Sequence, residues 1–160
     1  MAAALAALLL SQPALAAKGD ATASVITIKP LSILKLDDLD FGTFTTSAAA
    51  GTVVIEPVTG ARTTTGGVVA GGGTSKAAQF ITFGRAGSVL SVTRGPLPVL
   101  NRDGGGATMA VIGLTLNGPV LRVVNPAGIV DLRVGATLAV AANQLDGAYS
   151  GSFDITVTYF

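Results

Sequence analysis

The chain has 160 residues, in which 10 Lys and Arg stand against 9 Asp and Glu, and it contains no His, Cys or Trp. Without His or Cys it has no imidazole base, thiolate nucleophile, disulfide or conventional zinc site. The formal net charge of +1 provides no basic surface for a phosphate backbone, so we expect no nucleic-acid partner. The length predicts one domain, large enough to bury an apolar core without disulfides or metals.

Residues 1–16 have the pattern of a secretory leader. An apolar run over residues 1–10 is followed by Ala14-Leu15-Ala16, whose small residues suit a signal peptidase. About ten to fifteen apolar residues fall short of the ~20 that a membrane-spanning helix needs. We therefore expect a signal peptide over residues 1–16, a single mature domain over residues 17–160, and no transmembrane helix. Two alternatives stay open: a start inside a longer leader, since no Lys or Arg precedes the run, and an Ala-rich helix of the mature chain.

From Ala21 onward the chain is patterned for short strands. Apolar residues recur at period 2, and every segment long enough to form a helix is interrupted by Gly, Pro or Thr. The predicted strands cover residues 21–28, 31–36, 52–58, 62–69, 77–84, 88–94, 107–116, 120–124, 129–134, 136–142 and 148–160. Short strands separated by turn signals and lacking crossover helices predict an all-β, antiparallel fold, with a two-sheet sandwich preferred over a barrel.

Two glycine triplets, at residues 71–73 and 104–106, have the composition of phosphate-binding loops but not their context. Neither is followed by the Lys-Ser/Thr of a nucleotide loop, and neither opens a predicted helix. We expect both to be flexible connections between strands. No cofactor is predicted.

Three carboxylates, Asp37, Asp38 and Asp40, fall within four positions. The spaced ligands, central Gly and distal Glu of a calcium loop are missing, so a solvated turn is the preferred interpretation. Neighbouring carboxylates on one loop also cannot flank a substrate as an acid and base pair. The serines have no adjacent base, and we therefore expect no enzymatic activity.

The C-terminal residues alternate more regularly than any other segment. The odd positions, which we place on the buried face of a closing strand, are Tyr149, Gly151, Phe153, Ile155, Val157 and Tyr159. The even positions up to residue 158 carry Ser, Asp and Thr and are predicted to face solvent. The Asp146-Gly147 turn predicts a hairpin between this strand and the strand over residues 136–142.

Three segments of the sequence resemble a known family of exported bacterial proteins, DUF4402. They are Leu39-Asp40-Phe41-Gly42, Val134-Gly135-Ala136-Thr137-Leu138 and Gly147-Ala148-Tyr149-Ser150-Gly151. That family is itself similar to the group of spore coat protein U and the chaperone-usher pilins. The resemblance spans roughly residues 21–160 and implies an immunoglobulin-like, pilin-like β-sandwich at the surface of a Gram-negative bacterium.

In the pilin-like group a subunit lacks one strand, and a periplasmic chaperone and then a neighbour's N-terminal extension fill the resulting groove. The resemblance therefore implies self-association or a related subunit as partner, with Val25, Ile26, Thr27 and Ile28 in the donated strand. The same residues fit the domain's own first strand equally well. In the donated-strand interpretation, Pro30 marks the break between the donor and the first strand of the domain, because it removes one ladder donor and disfavours continuous pairing.

Two functions follow. The preferred one is a structural subunit of a surface filament, fimbria or coat, located in the periplasm, at the cell surface or in an extracellular filament. The alternative is a self-complete secreted β-sandwich that binds an extracellular ligand such as a glycan. A sugar platform uses exposed Trp or Tyr, whereas Trp is absent and both Tyr149 and Tyr159 lie on the predicted core face.

Overall fold

The computed structural model describes residues 30–160, so the expected leader, the mature start and the 21–28 strand lie outside the described residues. Those residues form thirteen strands and no helix. The strands are β1 (Ser32–Asp37), β2 (Phe44–Thr45), β3 (Gly51–Ile55), β4 (Arg62–Gly66), β5 (Val69–Ala70), β6 (Ala78–Phe83), β7 (Val89–Arg94), β8 (Val99–Arg102), β9 (Thr108–Leu116), β10 (Leu121–Val123), β11 (Ile129–Val140), β12 (Tyr149–Ser150) and β13 (Ile155–Tyr159). Nothing between residues 30 and 160 forms a helix able to cross a membrane.

The largest sheet is organised around β11, its longest strand. One edge of β11 pairs first with β6 and then with β3, while the other edge pairs with β9. The full order is β1-β6-β11-β9-β8-β12, and β4 adds to β3. Gly135 lies where β11 changes partner from β6 to β3, and a Cβ there would stand 2.2 Å from the carbonyl oxygen of Ile55. Only glycine allows the two backbones to approach so closely.

A second sheet, ordered β10-β7-β13, packs against one half of the large sheet. Leu90 and Val92 of β7 are buried with Val130 and Leu132 of β11 in one core cluster. The other half of the large sheet carries a second cluster, which includes the fully buried Ile55 and is covered by loop residues such as Phe41. The antiparallel, all-β prediction is therefore confirmed, with a sandwich-like arrangement of two apolar sheet faces.

Most predicted strands are present, but three predictions of extent are wrong. The strand predicted over residues 62–69 is divided into β4 and β5. The strands predicted over residues 129–134 and 136–142 are one continuous strand, β11. The strand predicted over residues 148–160 is divided into β12 and β13. The short strands β2 and β8 were not predicted. The glycine triplets do connect strands, since residues 71–73 lie between β5 and β6 and residues 104–106 between β8 and β9.

The predicted C-terminal hairpin is also wrong. β12 pairs with β8 and β13 with β7, whereas the second half of β11 pairs with β3 and β9. The Asp146-Gly147 turn is held by Arg102, whose Nε donates to the Asp146 carbonyl oxygen at 2.6 Å. This bond joins the turn to β8, so the chain crosses to β8 and does not return along β11.

Candidate functional site

An open groove of about 840 Å³ lies beside the second core cluster. One wall is the segment over residues 37–46, and the other is the segment over residues 145–153. The floor is apolar and comes from three strands of the large sheet, with Phe80 of β6, Met109 and Val111 of β9, and Leu138 of β11. We call this feature the groove.

The first wall contains the Leu39-Asp40-Phe41-Gly42 segment that carries part of the family resemblance. Asp40 and Lys76 exchange backbone hydrogen bonds at 2.9 and 2.8 Å, and the Asp40 carboxylate accepts from the Gly42 amide at 2.7 Å. Phe41 is buried in the core, and Gly42 has φ of 66°. Asp40, Phe41 and Gly42 thus each help to shape the wall.

The side chain of Arg62 fixes the first wall of the groove to β4. Its guanidinium donates to the carbonyl oxygens of Phe41 at 2.9 Å, Thr43 at 2.8 Å and Gly71 at 2.7 Å. Because the planar guanidinium has a fixed fork of donors, three carbonyls from two separate loops are tied to β4 at one point. Sequence reasoning missed this role, since nothing in the local pattern around Arg62 signals contacts with residues 19 to 21 positions away.

The acidic cluster on the first wall is engaged in local contacts. Asp38 lies 2.6 Å from the Nζ of Lys35, and Asp37 lies 3.6 Å from the Nζ of Lys76. Both pairs are largely exposed and contribute little to stability. Among residues 30–160 no three acidic side chains converge as a metal site would require.

The second wall contains three of the predicted C-terminal residues, Tyr149, Gly151 and Phe153. The Tyr149 hydroxyl donates to the Leu145 carbonyl oxygen at 2.6 Å and accepts from the side-chain amide of Gln144 at 2.8 Å. Phe153 packs edge-on against Phe80 of the floor, with ring centroids 6.4 Å apart. The wall is therefore anchored both to its own loop and to the large sheet.

The other three predicted residues, Ile155, Val157 and Tyr159, lie on β13. They are half-buried against the core, while Thr156 and Thr158 between them are exposed. The alternation is as predicted in direction, but none of the six odd-numbered residues is fully buried, and Gly151 is exposed. The prediction of a buried face is corrected to a half-buried one, because β13 lies at the margin of its sheet and pairs with β7 alone among residues 30–160.

The margin of the large sheet on the same side is β1. Ile33 of β1 lies directly opposite Thr82 of β6, whose side chain is buried, so Ile33 points to the interior face of the sheet. It is nevertheless 42% exposed. The Thr82 hydroxyl beside it has no hydrogen-bond partner within the described range. The described part of the second sheet thus stops short of covering the interior face of β1.

The two margins differ in how they receive another strand. β1 follows Pro30, carries Lys35 on its interior face opposite Phe80, and has a register irregularity between Lys35 and Asp37. Prolines, inward charges and bulges are devices that discourage edge pairing. β13 contains no proline or charge and pairs with β7 in unbroken register over five residue pairs. Of the two margins, β13 is the one suited to strand addition.

The model of a family described as a domain of unknown function, DUF4402, matches residues 31–159. No curated protein and no solved structure matches the chain. The matched range contains both groove walls and ends with the last residue of β13.

Proposed function

Because the chain belongs to the DUF4402 family, whose description assigns no function, we propose from its own structure that it is a structural subunit of a bacterial surface filament, fimbria or coat. In this proposal the subunits are exported, immunoglobulin-like and pilin-like sandwiches that are joined by strand donation. The resemblance to the spore coat protein U and chaperone-usher pilin group supports it.

The observation that carries the proposal is the β13 margin together with the exposed interior face of β1. A strand added to β13 would extend the second sheet from three strands to four and would cover Ile33. Its backbone would form ladder hydrogen bonds, and alternate side chains would contact the apolar interior face. The groove continues the same opening past Phe153, so a longer segment would find apolar floor beyond the end of β13.

Each ladder hydrogen bond contributes about 0.5–1.5 kcal/mol net, and each large apolar side chain that is buried contributes about 1.5–3 kcal/mol. The backbone groups of β13 that face away from β7 and two or three inserted apolar side chains would therefore supply a strong contact without any charged interaction. The residues that would enter are Val25, Ile26, Thr27 and Ile28 of a neighbouring subunit, preceded during export by the strand of a periplasmic chaperone. No cofactor and no catalytic residue takes part.

The alternative, a self-complete secreted sandwich that binds a glycan or another extracellular ligand, is favoured by one observation, the size of the groove. A volume of about 840 Å³ would admit a small ligand. Tyr149 lines it, but its hydroxyl is already engaged by Leu145 and Gln144. The groove's apolar floor suits a β-strand better than a hydroxyl-rich sugar.

The test is the assembly state of the exported protein. Electron microscopy of purified material should show linear fibres or ordered oligomers, and electrophoresis without heating should show a ladder of bands that collapses to one band after boiling. A protein that is solely monomeric at high concentration, with a ligand bound in the groove, would establish the alternative. The Ile155→Asp and Thr156→Asp variants, described in the Discussion, provide a matched pair for the same assay.

A further inference from the structure

The outer face of the large sheet carries an apolar patch where β1, β6 and the first half of β11 lie side by side. Side chains that lie directly opposite each other in an antiparallel pair share one face of the sheet. Leu34 of β1 lies opposite Ile81 of β6, and Phe83 of β6 lies opposite Ile129 of β11. Because Thr82, between Ile81 and Phe83, points into the core, these four side chains point the other way.

Leu36 joins these four residues, since it follows Leu34 by two positions and does not line the groove on the other face. Leu34 and Leu36 are 53% and 47% exposed, and Ile81, Phe83 and Ile129 are half-buried. None of the five belongs to either core cluster of residues 30–160. We call these five residues the outer patch. An exposed apolar patch of this kind is a candidate interaction surface.

The size of the outer patch limits the kind of partner that it can hold. Three strands about 4.8 Å apart and six residues long, at about 3.4 Å per residue, give a footprint of roughly 300 Å². A stable complex of two proteins buries about 800 Å² on each partner. A single contact through the outer patch is therefore weak, and it persists only where many copies of the patch meet at once. A filament of identical subunits supplies such an array.

The charged groups beside the outer patch favour a second copy of the same face. Asp131 and Arg133 lie on this face of β11 with their side chains 3.0 Å apart, and Gln79 donates to the Asp131 carboxylate at 2.8 Å. Asp37, opposite Gln79, lies 3.6 Å from the Nζ of Lys76. Positive and negative groups are thus equal in number, and a twofold axis between two copies lets the anions of one face the cations of the other. A strongly acidic or basic partner finds no complementary net charge here.

Strand donation at β13 leaves the outer patch unoccupied. The patch lies on the face of the large sheet away from the groove and from the second sheet. The edge of β1 discourages pairing with another strand, because Lys35 is a charge on its interior face and the register is irregular next to Asp37. A partner therefore reaches this end of the large sheet through its outer face.

We propose that the outer patch is a lateral contact between subunits of neighbouring filaments, in which the outer faces of two large sheets pack on each other. This inference rests on the proposed function, which supplies the array of subunits. Sheets pack face to face about 10 Å apart, a distance that the large apolar side chains of two such patches fill. Each subunit contributes the same patch, and the contact joins single filaments into pairs or bundles.

The test places a charge in the outer patch with Leu34→Asp. Val123→Asp is the matched control, since Val123 is also an exposed apolar strand residue but lies on β10 of the second sheet. Both variants should melt close to the wild type, because both positions are exposed; if Leu34→Asp melts lower, Leu36→Asp takes its place. In electron micrographs, wild type and Val123→Asp are expected to form laterally paired fibres. Leu34→Asp is expected to form single fibres, with at least a tenfold lower paired fraction.

A charge-reversed variant tests whether the partner is the same face. Leu34→Lys fibres should also be single, because like charges again meet across the contact. Mixing Leu34→Asp fibres with Leu34→Lys fibres at low salt should restore pairing, since opposite charges then face each other. A mixture that stays single would overturn the inference, because the patch would not be contacting a second copy of itself.

The remaining outcomes separate the inference from the proposed function. Paired Leu34→Asp fibres, or wild-type fibres that are all single, would overturn the inference and leave the proposed function standing. If the wild type forms no fibres, sedimentation equilibrium at high protein concentration is the measurement. Self-association that Leu34→Asp weakens at least tenfold, and Val123→Asp does not, would then support the face-to-face contact and overturn the proposed function. Self-association that is absent, or that Leu34→Asp leaves unchanged, would overturn both.

Discussion

Gly151 lies so close to β8 that a Cβ on it would stand 2.9 Å from the carbonyl oxygen of Val99. The second wall of the groove is therefore placed by a glycine that faces the backbone of a neighbouring strand. Gly151 does not have positive φ, so a larger residue there would not strain the backbone. A substitution at this position therefore tests only how closely Gly151 approaches β8.

Gly151→Ala is expected to lower the stability by about 1–3 kcal/mol, because the added methyl group forces the wall away from β8. Gly72→Ala is the matched control, since a Cβ there meets nothing within 4 Å and φ is not positive. Thermal melting of both variants checks this. Equal melting temperatures would show that the wall yields freely and is not positioned by β8.

Arg62→Ala is expected to cost about 2–4 kcal/mol, because the carbonyl oxygens of Phe41, Thr43 and Gly71 lose a charged donor. Arg94→Ala, at an exposed position at the end of β7, should change the stability by less than about 0.5 kcal/mol. Denaturant unfolding gives the free energies of unfolding, and hydrogen exchange should become faster over residues 41–44 in the Arg62 variant alone. Unchanged hydrogen exchange over residues 41–44 in the Arg62 variant would contradict this role of Arg62.

Ile155 and Thr156 test the register of β13. Ile155 packs against both core clusters and Thr156 is exposed, so Ile155→Asp should cost about 2–5 kcal/mol while Thr156→Asp should be mild. Thermal melts measure the difference. Under strand donation Ile155→Asp should also abolish fibres in electron micrographs, whereas Thr156→Asp should retain them. Similar melts for both variants would mean that the strand presents its other face to the core.

The ionisation of Glu56 is expected to make the stability of the fold depend on pH. Its carboxylate accepts from the Thr59 amide at 2.6 Å, the Thr59 hydroxyl at 2.8 Å and the Val58 amide at 2.9 Å. These bonds, with the Thr59 amide first, lower the pKa of Glu56 below its ordinary value of 4.5. A lowered carboxyl pKa stabilises the fold above pH 4.5, and this contribution is lost as the pH falls through the folded-state pKa.

The stability difference between wild type and Glu56→Gln is therefore expected to be largest near neutral pH and to close as the pH falls below about 4.5. Denaturant unfolding at a series of pH values measures it. A difference that is constant from neutral to acidic pH would show that the turn over residues 56–61 does not depend on the charge of Glu56.

The part of the fold that follows from local pattern was predictable. Ile155, Thr156 and Val157 alternate between half-buried and exposed positions, as predicted. Successive side chains of a strand point to opposite faces, so an apolar and polar alternation in the sequence is sufficient to predict this. The continuity of β11 through Gly135 was not predictable, because that glycine serves a close approach to Ile55 and not a turn.

The groove depends on contacts between residues that are distant in sequence. Arg62 binds Phe41 and Gly71, and Arg102 binds the turn at Asp146, across separations that no period or turn signal encodes. The C-terminal hairpin was predicted wrongly for the same reason. The sequence identified the residues of the second wall, and the pairing of β12 with β8 determined where that wall stands.

The central claim, that β13 receives a strand from a neighbouring subunit, is tested most directly by hydrogen exchange over residues 154–160 before and after assembly, with residues 130–134 of β11 as the internal reference. In the monomer these β13 amides should exchange faster than the reference, and in the assembled form they should become at least tenfold more protected, because the incoming strand forms ladder hydrogen bonds with β13. Assembly that leaves the exchange of residues 154–160 unchanged would contradict the claim and place the contact between subunits elsewhere.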